Sequence, residues 1–114
     1  MPDDHLFEYG YCLGLIVGEG SFTHAGGQGR YGSPLCSVGL VEDLQPVLAL
    51  QRRFGGRVSV DDAYGKVRYR WALQGAALRR ALPIFDALLP TSRKRDQYLT
   101  WRTKWAAFFE RNSR

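Results

Sequence analysis

The stretch "CLGLIVGEGSF", residues 12–22, decides how this chain is read. Cys12 to Val17 is apolar or nearly so, with Gly14 inside the run. It passes straight into Gly18-Glu19-Gly20, and Ser21 and Phe22 then open what reads as a strand. The pattern predicts a helix over Leu6–Val17 with apolar residues all round, buried on most sides. Gly18 and Gly20 stop it. Glu19 thus sits at the carbonyl end of an apolar helix, where the dipole disfavours an anion. Why an apolar helix should end on an acid held in so exposed a way is the question this stretch raises.

Working outward, "SFTHA" begins a strand and "GGQGRYGSP" is a turn-rich connection. Leu35–Val41 alternates as a second, antiparallel strand. Asp43 is placed to cap a helix carrying Leu44, Val47, Leu48 and Phe54, which Gly55-Gly56 ends. "RVSVD" and "KVRYRWAL" alternate strictly and are joined by Asp62-Ala63-Tyr64-Gly65, which predicts a hairpin. Ala76–Leu89 is helical in pattern, with Pro83 bending or splitting it. Ser92 is placed to cap a last helix carrying Tyr98, Leu99, Trp101, Trp105, Phe108 and Phe109. The order is αββαββα, an α+β domain with helices on one face of a four-stranded antiparallel sheet.

With 114 residues the chain reads as one domain, 1–114, long enough to bury a core. A hydrophobic content of 45% and an aromatic content of 13% exclude a disordered tail. No apolar run reaches the length of a bilayer span, and no charged-then-apolar leader opens the sequence. No membrane partner is therefore expected. The protein should stay where it is made, in the cytoplasm or in an organelle that expresses it. Cys12 and Cys36 lack CxxC spacing and read as reduced core residues.

The net charge of +5 on so small a domain points to a polyanionic partner. Its placement sharpens the point. By alternation Val58, Val60, Val67, Tyr69, Trp71 and Leu73 share the face of the hairpin that must meet the helices. The other face carries Arg57, Ser59 and Asp61 on one strand and Lys66, Arg68 and Arg70 on the next. Those cations recur about 6.6 Å apart, and a two-stranded ribbon fits the major groove of DNA. Thr23 and Ser37 add small hydrogen-bonding groups from the earlier strands.

Two other signals carry less. Gly27 to Gly32 spells GxGxxG, but a strand rather than a helix follows, so it reads as a loop and not a dinucleotide site. His5 and His24 have no partners at metal-ligand spacing and read as surface residues. "SRKR", Ser92 to Arg95, is more telling: three cations in the first turn of a helix oppose the dipole, and a nearby phosphate would relieve them.

"CLGLIVGEG" resembles the nine-residue motif of the LAGLIDADG homing endonucleases, in the variant ending Gly-Glu-Gly and followed by Ser-Phe. "LQRRFGGRVS", "YRWALQG" and "LLPTSRKRDQYLTW" resemble the later landmarks of that family, in the expected order over nearly the whole chain. The resemblance implies a saddle-shaped sheet lying in the major groove. Because one motif copy is present, it also implies a homodimer on a long, partly palindromic double-stranded DNA site. Each strand would be cut with a divalent cation, Mg²⁺ by the chemistry of its ligands.

By position Glu19 matches the catalytic acid of the motif, with Gly18 beside it at the metal. Arg93, or Lys94 next to it, matches a basic residue near the active site. Leu13, Gly14, Val17 and Gly18 fall at the crossing of the two motif helices; Gly14 and Gly18, four apart, share one helix face. Val17 departs from the pattern, standing where the motif often has its first acid. Rival readings are a non-cutting DNA-binding regulator and an RNA maturase with intron RNA as a further partner. A purely structural module would need neither Glu19 nor the cationic ribbon.

Overall fold

The computed structural model describes residues 2–26 and 32–111, with side chains from Leu6 onward. Among these the order is α1 (Pro2–Glu19), β1 (Gly20–Gly26), β2 (Gly32–Val41), α2 (Gln45–Phe54), β3 (Arg57–Ala63) and β4 (Lys66–Leu73). Then follow α3 (Gly75–Leu88), α4 (Arg93–Lys104) and α5 (Ala106–Arg111). The fold is α+β, as the sequence predicts, with the last helix in two pieces.

Two hairpins, β1–β2 and β3–β4, join through β2 and β4 into an antiparallel sheet of order β1-β2-β4-β3. Helices cover one of its faces. Cys36, Val38, Trp71 and Leu73 look into the helical layer, where Ile16, Leu50, Phe85 and Tyr98 meet them in one cluster. Each is at most 1% exposed, and such burial stabilises by about 1.5–3 kcal/mol per large apolar side chain. Burial also pushes the Cys12 thiol up to about 11 and the Cys36 thiol higher still, so both stay protonated and inert.

Local chemistry explains most boundaries. Ser92 caps α4, its hydroxyl accepting from the Arg95 amide at 3.1 Å. Gly55 and Gly56 end α2 at φ of 79° and 97°, a region that glycine enters freely. Trp71 Nε1 donates to the Gly55 carbonyl at 2.8 Å, so the paired glycines close directly onto the buried indole. At the hairpin tip only Tyr64 and Gly65 form the turn, at φ of 55° and 80°. Two positive φ values make the two-residue turn whose twist suits a hairpin, tighter than the four-residue joint predicted.

Several expectations are corrected. Asp43 does not cap α2: Leu44 holds the N-cap position without a side-chain bond, and Pro46 starts the helix by its fixed φ. Strand β2 begins at Gly32 and takes in Pro34, because β4 pairs with β2 only from Cys36 onward and leaves that side of Pro34 free of ladder bonds. Of the two expectations for Pro83, splitting does not occur: α3 runs through it as one helix. The last helix breaks at Trp105, which leaves helical geometry at φ −100° and ψ 13°. Val60 and Val67 do not meet helices: they are 63% and 42% exposed, since the hairpin projects past the helical layer. Helix α1 is not buried on most sides either, with Leu6 and Phe7 largely exposed. Gly27 to Tyr31 of the GxGxxG stretch lie outside the described residues, as does the side chain of His5; Gly32, read as part of the loop, already belongs to strand β2. No described helix is long and apolar enough to cross a membrane.

The close of α2 onto Trp71 yields a stability prediction. A Cβ on Gly56 would stand 2.6 Å from the Ala72 carbonyl oxygen and 2.9 Å from Trp71 Nε1, at a φ that side chains resist. Gly56→Ala should therefore lower the unfolding free energy by about 1–3 kcal/mol or more, read from the urea midpoint. An unchanged midpoint would contradict this packing.

Candidate active site and nucleic-acid interface

Glu19 is the last residue of α1 and is exposed. The chain turns into β1 at Gly20, which is buried. A Cβ there would lie 2.6 Å from the Ile16 carbonyl oxygen, so only glycine lets the strand leave the helix this way. From the far end of the chain, Lys94 Nζ donates to the Gly20 carbonyl at 2.6 Å. One partly buried ammonium is thus held one residue beyond the exposed acid. The carbonyl end of α1 acquires the positive charge that its dipole and Glu19 ask for.

The other cations of the basic turn go elsewhere. Arg93 is exposed and lines a groove of about 430 Å³ between α4 and the outer edge of β1, with His24, Trp101 and Trp105 among its walls. His24 is exposed and stacks on Trp105, 6.2 Å between ring centroids. Arg95 turns to the end of α3. It donates to the carbonyls of Leu89 at 2.7 Å and Asp86 at 2.9 Å, groups a helix end leaves unpaired. Of the three cations, Lys94 is the one that reaches the α1–β1 junction, whereas sequence ranks Arg93 first.

On the sheet face away from the helices, the register sets Arg57 opposite Ala72, Ser59 opposite Arg70, Asp61 opposite Arg68, and Ala63 opposite Lys66. The predicted polar ribbon is therefore on one face, as alternation requires. Arg68 pairs side-on with Asp61 through Nε at 2.9 Å and NH2 at 2.8 Å. That bond holds the Asp61 carboxyl below the usual carboxylate range. Lys66 lies 4.0 Å from Glu42, both well exposed. Arg57 and Arg70 are exposed and make no hydrogen bond or ion pair among the described residues.

Thr23 is exposed and paired with Leu35, and Ser37 joins the same face between Ser21 and Ala72. Ser37, however, is only 6% exposed, so it offers little to a ligand. Ser21, exposed and directly opposite it, is the hydroxyl that alternation from Thr23 could have singled out.

The open side of α1 carries Gly10, Gly14 and Gly18. Among the described residues, a Cβ on any of them would meet nothing within 4 Å. Val17 is half-buried beside this stripe, while Phe7 and Tyr11 extend it at 78% and 44% exposure. Leu13 does not belong to it. At 4% exposure it is turned into the core, because it follows the Cys12 and Ile16 side of the helix.

Comparison of the sequence with protein-family models finds no match, and neither does comparison with curated proteins. Solved structures do match. The homing endonuclease I-TnaI superposes with a TM-score of 0.75 at 20% identity, over 90% of this chain and 74% of that one. I-SmaMI, bound to an uncleaved DNA target in the presence of calcium ions, gives 0.69 at 21%, over 90% of this chain but only 38% of that one. The archaeal intron-encoded homing endonuclease I-Vdi141I, complexed with DNA, gives 0.65 at 22%, over 91% and 70%. The fold is that of the LAGLIDADG homing endonucleases.

The division of labour within the basic turn is testable. Arg95→Met should lower stability by about 1.5–3 kcal/mol, the worth of hydrogen bonds from a charged donor, whereas Arg93→Met should leave the unfolding midpoint in place. Equal losses in the two variants would mean that Arg95 does not hold the end of α3.

Proposed function

We propose that this chain is a single-motif LAGLIDADG homing endonuclease. As a homodimer it would bind a long, partly palindromic double-stranded DNA site through the open sheet face and hydrolyse one phosphodiester on each strand with Mg²⁺. The observation that carries the reading is the α1–β1 junction, where the exposed Glu19 stands one residue from a carbonyl gripped by Lys94. Such a junction on this fold, beside a cationic open sheet face, suits phosphodiester chemistry better than a purely structural end to a helix.

The donor set fits a hard divalent cation. Glu19 offers carboxylate oxygens, and Gly18 lies in the last helical turn, whose carbonyls lack intrahelical partners. One chain does not complete such a site: among the described residues no three His, Cys, Asp or Glu side chains gather for a metal. Two Glu19 carboxylates from facing α1 helices, together with phosphate oxygens, would. When bound, the cation supplies Lewis-acid stabilisation and a lowered water pKa. Lys94 keeps two further N–H donors beyond the one on Gly20, and these would be available to stabilise charge developing on the phosphate.

The dimer rests on the glycine stripe. Each glycine costs a helix about 1 kcal/mol against alanine, and among the described residues nothing lies within 4 Å of where a Cβ would stand. A second α1 packed backbone to backbone accounts for that cost, and it would bring the two Glu19 residues together.

Two experiments test these proposals. Glu19→Gln keeps the size of the side chain and removes its charge. Cleavage of the DNA site selected from a pooled duplex library should fall by several orders of magnitude with Mg²⁺, since the cation then loses its carboxylate. Affinity for the same site without metal should hold or rise, because two carboxylates beside phosphates repel them. A variant that cuts at the parental rate removes Glu19 from the site; a parent that binds but never cuts leaves a non-cleaving regulator. Gly14→Leu should abolish dimerisation in analytical ultracentrifugation while the folded monomer persists, since its Cβ points into open space. A dimer that survives the leucine would place the interface elsewhere.

A further inference from the structure

Within the cationic ribbon the arginines are not equivalent. Arg68 lies on the inner strand β4, opposite Val41 at the end of the β2–β4 ladder, with its head fixed from one side and its stem from the other. Asp61, directly across on β3, holds Nε and NH2 in a bidentate pair. On the β2 side a Cβ added to Gly39 would stand 3.6 Å from Arg68 Cδ, so the stem lies against that strand where no side chain projects. The side-on pair uses two of the five guanidinium N–H donors. The end-on fork, NH1 with the outer NH2 hydrogen, makes no bond among the described residues, and the side chain is 37% exposed.

The pair also changes what Arg68 can bind. Neutralised by Asp61, it has little net attraction for phosphate, which is gripped mainly through charge. Its donor geometry is untouched, and a fixed fork matches the O6 and N7 acceptors of guanine in the major groove. Arg70 and Arg57 stand opposite Ser59 and Ala72 and make no bidentate pair with an acid among the described residues, although Arg70 lies within electrostatic reach of Asp61. A cross-strand ion pair alone would contribute only about 0.2–1 kcal/mol at an exposed site, and it would not require the fork to be left open toward the ligand face.

We propose that Arg68 reads one guanine of the DNA site, and that Asp61 is a positioning residue that aims it without contacting DNA. This rests on the sheet face binding DNA, as proposed above, and deepens that reading by dividing the ribbon into one reader and flanking phosphate grips. The hydrogen bonds from Arg68 hold the Asp61 carboxyl below the usual carboxylate range, which favours the ionised form that makes the bidentate pair.

The test measures affinities of the intact protein, in calcium buffer, for the duplex selected from a pooled library and for its single-base-pair variants. The parent should discriminate against loss of one G·C pair by about tenfold or more. Arg68→Ala should flatten the preference at that pair, and Asp61→Ala should flatten it at the same pair while general affinity holds or rises. The salt slope should steepen by about one phosphate contact in Asp61→Ala. The double variant should lose no more discrimination than Arg68→Ala alone. Arg70→Ala is the control, expected to weaken all duplexes evenly. If Asp61→Ala alters a different base pair, Asp61 reads a base itself and the positioning role fails. Unchanged discrimination in Asp61→Ala, with Arg68→Ala flattened, overturns it equally. A parent that selects no duplex overturns the DNA-binding reading as well, which separates the two failures.

Discussion

At the α1–β1 junction the backbone turns so tightly that a Cβ on Gly20 would stand 2.6 Å from the Ile16 carbonyl oxygen, and Lys94 closes the turn from outside. This contact ties the continuous α1–β1 turn to α4, 74 positions further along the chain. It sets where α1 ends, it starts the edge strand of the sheet, and it anchors the first turn of α4. Glu19 is left as the last helical residue with solvent in front of it, and its backbone has no freedom to swing away. An acid at a helix carbonyl end is costly alone. An ammonium beside it lowers that cost without neutralising the carboxylate, because the ammonium is engaged by a carbonyl.

The sheet separates two kinds of chemistry by the pleat alone. One face is buried under helices through Trp71, Leu73, Cys36 and Val38. The other carries the ribbon of Arg57, Ser59, Asp61, Lys66, Arg68 and Arg70, displaced from the first by one residue along each strand. A one-residue slip between β3 and β4 would exchange the faces. Trp71 guards against it: its indole donates to the Gly55 carbonyl, so β4 cannot shift without breaking this partly buried hydrogen bond. The packing of α2 onto the sheet is therefore also what fixes the cationic face.

Much of this was legible in the sequence because it rests on local rules. Strict alternation in "RVSVD" and "KVRYRWAL" identified the ribbon, the paired glycines ended α2, and Ser92 capped α4. What was not legible depends on distant partners. Nothing near Leu13 tells that it faces the core while Gly14 faces solvent; that follows from the direction α1 takes across the sheet. Val60 and Val67 alternate as buried residues do, yet the hairpin outruns the helices that would cover them. Lys94 and Arg93 are adjacent cations in one turn, and only the contact with Gly20, 74 positions away, separates their roles. Ser37 lies on the expected face but is covered there, and periodicity reports a face without its depth. Asp43 was a good cap by type, displaced because Pro46 starts the helix without one.

The same geometry makes assembly and chemistry interdependent in the proposed enzyme. A hard divalent cation takes about six oxygen ligands, and one chain brings a single carboxylate to the junction. The remaining ligands have to come from a second copy and from the DNA itself. Glycines that leave the outer side of α1 bare let two such helices approach closely, and approach is also what crowds the two acids. Their repulsion is relieved only when a cation is present between them, or weakened when phosphate is absent. On this proposal a free chain would be unable to cut. The acid, the partner helix and the correctly placed phosphate must arrive together before hydrolysis becomes feasible, which makes recognition by the open sheet face a condition of the chemistry.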